Sequence, residues 1–136
     1  MKSNRLNIID EIINSSKIQV QKYKQTHTVV VMNSHLKTTE CVYLWEDIVV
    51  DGESHSYIGM SERTTLEFIN PNRIKANIRP FTHYKDQLSE MLKVCTHAKC
   101  TIIFVPKGWA RVWEKRLIRE LQPDINLLIY KHYESN

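Results

Sequence analysis

The chain predicts an α+β fold, and three observations carry that prediction. Asp51-Gly52, a strong tight-turn signal, separates two runs rich in β-branched and aromatic residues. Two later stretches place apolar residues three and four positions apart, the spacing of amphipathic helices. The length, 136 residues, suits one domain built around a single core, spanning 1–136.

The elements follow in order. Leu6, Ile9, Ile13 and Val20 stand at roughly helical spacing, so Leu6 to Lys24 reads as an amphipathic helix within an N-terminal helical extension over 1–27. Thr28 to Met32 is a short β-branched run and reads as a buried strand. Cys41 to Val50 is a second strand, and Ser54 to Met60 returns beside it after the turn, giving a hairpin. The polar stretch 61–78, with Asn70-Pro71-Asn72, reads as an inserted connection. Pro80 suits the first turn of a helix, and Tyr84, Leu88, Met91, Leu92 and Cys95 form the stripe after it. Cys100 to Val105 reads as a strand ended by Pro106-Lys107-Gly108. Trp109 to Gln122 reads as one helix, stopped by Pro123, and Leu127 to Tyr130 is a last apolar segment.

Composition narrows the function classes. With 42% hydrophobic and 25% charged residues, the chain matches an ordinary globular protein and not a disordered one. No apolar run approaches the ~20 residues of a membrane-spanning helix, and the first ten residues lack a secretory apolar core, so no membrane partner and a cytoplasmic location are expected. Three cysteines do not complete a disulfide framework, in keeping with a reducing compartment. Cys95, His97 and Cys100 superficially suggest a zinc cluster, but no second pair of ligands follows. The net charge of +4 permits a polyanionic partner without requiring one.

One residue breaks the pattern. On the helical wheel Ala110, Trp113, Leu117, Ile118 and Leu121 gather on one face, and Glu114 projects from the same stripe. A buried carboxylate is costly unless it is protonated, paired with a cation or bound to a metal.

Three separated pieces then line up: Cys41-Val42-Tyr43 with Tyr57-Ile58-Gly59 on the hairpin, Arg79-Pro80-Phe81-Thr82-His83, and Glu114-Lys115-Arg116-Leu117-Ile118 followed by Pro123-Asp124-Ile125-Asn126. In this order they resemble the GIY-YIG nuclease family, over about Val42 to Asn126. Each piece alone is a weak signal, and the ordered set is the stronger one. The resemblance implies a small three-stranded antiparallel sheet flanked by helices, with the N-terminal helix as an addition. It implies a divalent-metal-dependent DNA endonuclease using magnesium, with manganese as a substitute. Carried over by position, the implied catalytic residues are Tyr43, Tyr57, Arg79, His83, Glu114 and Asn126, with Glu114 as the metal ligand.

These residue types suit phosphodiester hydrolysis, which needs an activated water and neutralisation of developing phosphate charge. Magnesium keeps several waters, so one carboxylate plus the substrate phosphate suffices. An arginine forks onto two phosphate oxygens. A phenol can position water or pass on its proton, but acting as a base requires nearby cations or metal to lower its pKa. Arg63, Arg73, Lys75 and Lys85 are candidate contacts to DNA, most simply double-stranded. The chain leaves no room for an appended DNA-binding domain, so a restriction-type or phage- or mobile-element-type enzyme is expected, cutting as a homodimer or by sequential nicking. The alternative is a non-catalytic DNA-binding or inhibitory module with the same fold.

Two departures from the family pattern stand out. Cys41 occupies the place of the first glycine, and Gly59 to Arg79 is longer than in compact members. The insertion over 61–78 accounts for the length, and Arg63 and Arg73 stand as alternatives for the catalytic arginine.

Overall fold

A computed structural model describes residues 2–13, 18–24, 27–64 and 85–127. The elements are α1 (Lys2–Ile12), β1 (Ile18–Lys24), β2 (His27–Met32), a 3-10 turn (Ser34–Leu36), β3 (Cys41–Val50), β4 (Glu53–Ser61), α2 (Lys85–Val94), β5 (His97–Phe104) and α3 (Ala110–Leu121). One further helical turn spans 124–127.

The five strands form one mixed sheet in the order β1-β2-β5-β3-β4. The pairs β1–β2, β5–β3 and β3–β4 are antiparallel, whereas β2 and β5 run parallel. The α+β class therefore holds, but the expected three-stranded antiparallel sheet is corrected to a larger, mixed one. A second correction concerns the N-terminal helix. It ends at Ile12, and Ile18 to Lys24 is the strand that pairs with β2. The stretch Ile18-Gln19-Val20-Gln21 alternates apolar and polar, a strand period that the wider helical spacing concealed.

Helices cover both faces of the sheet. One face carries Val29, Val31, Tyr43, Trp45, Tyr57, Cys100 and Ile102, packed with Leu88 and Leu92 of α2. The other carries Val42, Leu44, Ile58 and Ile103, packed with Ile8, Ile9 and Ile12 of α1 and Ala110, Leu117 and Leu121 of α3. Cys41 through Trp45 are consequently all buried, as expected for a strand with both faces covered. A bulge between Trp45 and Ile48, with Asp47 at φ 50°, resets the alternation. Tyr43, Trp45 and Ile48 therefore share one face despite their uneven spacing.

The hairpin turn matches its sequence signal. Asp51 and Gly52 both have positive φ, 51° and 77°, and Val50 faces Glu53 across a two-residue loop. Polar pairs fasten the helices. Arg5 of α1 forks onto Glu46 of β3 at 2.6 and 2.8 Å, and Arg116 of α3 meets Glu11 of α1 at 2.6 Å. No helix among the described residues is long and apolar enough to cross a membrane.

Candidate active site

Tyr43 and Gly59 face each other across β3 and β4, and the tyrosine ring lies over the glycine. A Cβ at residue 59 would overlap Cζ and the hydroxyl of Tyr43. The glycine is thus required by a neighbouring ring and not by a turn. Tyr57 stands one diagonal step away, its ring centroid 6.4 Å from that of Tyr43 and tilted by 38°. Both tyrosines are buried.

Burial pushes the Tyr43 phenol well above the ordinary tyrosine value, and the charges of Tyr57, Cys41, Cys100 and Glu114 push the same way. Tyr43 is therefore a neutral hydroxyl over the physiological pH range, a hydrogen-bond donor and not a base. The lowered pKa that a phenolate base needs runs opposite to these surroundings. Cys41, at the start of β3, is likewise a protonated thiol. Burial lifts it to about 11, partly opposed by hydrogen bonds with the Thr64 side chain and Ser61 backbone.

Glu114 is half-buried at the middle of α3. Its helical neighbours Ala110, Leu117 and Leu121 are buried, so the carboxylate does lie on the packed face. Its charge is the smallest of the influences on Tyr43, which packs on the α2 side of the sheet while α3 covers the other.

The free edge of β4 is closed from the C-terminal side. Asn126 Oδ1 accepts from Ile58 N at 2.8 Å and its Nδ2 donates to Ile58 O at 2.8 Å, so one side chain completes both backbone groups of that residue. Two residues earlier, Asp124 Oδ1 accepts from Ser56 N at 2.7 Å, and Asp124 Oδ2 accepts from His55 Nδ1 at 2.7 Å. The spacing 124, 126 thus matches the period of the outward-facing groups at 56 and 58. Side chains of this helical turn thus occupy the backbone groups of Ser56 N and Ile58 on the edge of β4. Asn126 holds Ile58, the residue between Tyr57 and Gly59.

Of the other expected residues, Arg63 is exposed just beyond β4, and Lys85 opens α2. Arg73, Lys75, Arg79 and His83 lie outside the described residues, as does 65–78 of the insertion. The structure adds residues that motif reading passed over. Glu40 accepts from Gly108 N at 2.7 Å and Ala110 N at 3.3 Å, capping α3. Asp124 and His55 join the β4 edge. Glu40 has no local signal, since its partners are about 70 residues away, but the alternation of Asp124 and Asn126 was a usable one.

Among the described residues no group of three His, Cys, Asp or Glu side chains forms a metal cage. The donor set nonetheless fits magnesium, a hard cation that accepts one carboxylate and completes its shell with waters and substrate phosphate. Glu114, half-buried on α3, is a carboxylate that could supply such an oxygen.

No protein-family model, curated protein or solved structure matches this chain. The functional reading therefore rests on the chain's own residues.

Proposed function

We propose that the protein is a divalent-metal-dependent DNA endonuclease of GIY-YIG type. The observation that carries this reading is the packing of Tyr43 over Gly59 beside Tyr57, with the Glu114 charge reaching the same phenol. The hairpin piece and the C-terminal piece are in contact, since Asn126 clamps Ile58 between the tyrosine and the glycine.

In this mechanism the neutral Tyr43 hydroxyl, with Tyr57 next to it, orients the attacking water or a phosphate oxygen. Glu114 would hold magnesium, which when bound supplies neutralisation of phosphate charge. Arg79 stabilises the charge developing in the transition state, with His83, four residues on in the sequence, as a proton acceptor or phosphate contact. Asn126 is a positioning residue, keeping the Tyr57–Gly59 stretch in place. Arg63, Arg73, Lys75 and Lys85 contribute contacts to the DNA backbone. Double-strand cutting then calls for a homodimer or two successive nicks.

The second reading, a non-catalytic DNA-binding module, draws on the same burial. Two fully covered tyrosines also suit a purely structural hairpin. Conversion of supercoiled plasmid separates the two. The nuclease reading expects nicked or linear product with magnesium and none with EDTA; retardation of the plasmid with no product under either condition favours the module.

A further inference from the structure

A cavity of about 600 Å³ opens at the free end of the β3–β4 hairpin. Lys37, Arg63 and Lys107 line it together with Glu40 and Glu62. Both carboxylates are already engaged: Glu40 caps α3 through Gly108 N and Ala110 N, and Glu62 meets Arg111 at 3.2 Å. The three cations have no acidic partner among the described residues. Three cations face two carboxylates, one of them paired with Arg111 outside the lining, so the cavity is net positive. Cys41 and Ser61 form the last rung of the hairpin, and Tyr43 with Gly59 lies two residues further in, roughly 7 Å away by strand rise. Trp109 follows Lys107 by two residues on the turn entering α3 and is 51% exposed. Trp45, by contrast, is fully buried.

We infer that this cavity and the Trp109 indole form a binding site for unpaired nucleic acid, with backbone phosphate among Lys37, Arg63 and Lys107 and a base stacked on the indole. Cations draw the phosphates irrespective of sequence. An exposed aromatic ring adds stacking, and only an unpaired base offers it a free face. The substrate class is therefore DNA with a single-stranded stretch at or beside the cutting position, such as a flap, a gap or a melted site. This rests on the nucleic-acid reading above and extends it to Lys37, Lys107 and Trp109, which that reading leaves without a role.

The test is fluorescence anisotropy of labelled oligo(dT) and of a labelled duplex, in EDTA and at several salt concentrations. Trp109→Ala is expected to weaken oligo(dT) binding about tenfold while duplex affinity changes less than about twofold. The Lys37→Gln/Lys107→Gln pair is expected to weaken both and to reduce the slope of log affinity against log salt by about two. All three positions are exposed, and circular dichroism checks that the variants stay folded. Unchanged oligo(dT) affinity in Trp109→Ala, or wild-type affinity and slope in the double variant, overturns the site. Because binding is read without metal, the two readings fail separately. Oligonucleotide binding through these residues in a protein that cuts nothing leaves the site standing and removes the nuclease. Magnesium-dependent cleavage that ignores these residues does the reverse.

Discussion

The two ends of one hairpin differ sharply in their environment. At its centre Tyr43, Tyr57 and Gly59 are packed away from water, and burial keeps the Tyr43 phenol protonated. At its open end Lys37, Arg63 and Lys107 line an open cavity where charge is solvated. The contrast teaches that position and attraction are supplied by different parts of the same strands. The dry end fixes atoms to within a fraction of an ångström but offers only neutral donors, while the wet end supplies long-range charge with little geometric definition.

The comparison breaks most severely at Gly59. Gly59→Ala places a methyl group against the Tyr43 ring, and overpacking of this kind costs about 3 kcal/mol. Urea denaturation is expected to show that loss, with plasmid cleavage falling further than stability because the ring must move. A variant as stable as wild type would mean that the ring has another place to go.

Raising the pH probes the dry end alone. Cys41 rises from its ordinary value of 9.0 to about 11 in the folded protein, and Tyr43 rises above its own value of 10.0. Both hold their protons more tightly when folded. Their contribution is fully present below the unfolded values and is lost as pH climbs through the folded ones. Stability is therefore expected to decline from about pH 9 upward, with Cys41 contributing roughly 2 to 3 kcal/mol. Urea midpoints at pH 8 and pH 11 measure the decline, and Cys41→Ala should flatten it. Identical slopes in the two proteins would show that the thiol is not held in a dry site.

Asn126→Ala is expected to cost about 2 kcal/mol, because it strips both partners from the backbone of buried Ile58. If the site depends on this clamp, cleavage falls while oligonucleotide affinity at the wet end is retained. Equal loss of both would merge the two regions into one. Glu40→Ala has the smallest expected effect, about 1 kcal/mol for a lost helix cap. It also removes a carboxylate from the cavity wall, so affinity for DNA should rise slightly as stability drops; a fall in affinity would count against a cationic cavity.

Much of this arrangement was legible in the residues. Asp51-Gly52 placed the hairpin, and the spacing of Trp113, Leu117 and Leu121 placed α3 with Glu114 on its packed face. Tyr43, Tyr57 and Asn126 were singled out by motif order, and the structure adds that Asn126 bonds back to Ile58 through its side chain. The failures have two physical causes: the Ile18–Lys24 alternation is local but lies inside a wider helical spacing, whereas the other missed partners are distant in sequence. The strand Ile18–Lys24 has its partner in β2, and β2 has its next partner in β5, a parallel pairing across about 70 residues that no local pattern announces. Glu40 and Asp124 find their partners at similar separations. The direction of the Tyr43 shift depends on burial, which a motif does not specify.

The claim at the centre of this account is that Glu114 works as a metal ligand, and Glu114→Gln tests it most directly. The substitution keeps size and shape and removes the anionic donor that a hard cation needs. Plasmid cleavage should be measured across a magnesium titration, with thermal unfolding and oligonucleotide binding recorded on the same preparation. The account predicts a folded variant that binds DNA like wild type and produces no cut at any magnesium concentration. Magnesium-dependent cleavage at a wild-type rate would contradict it.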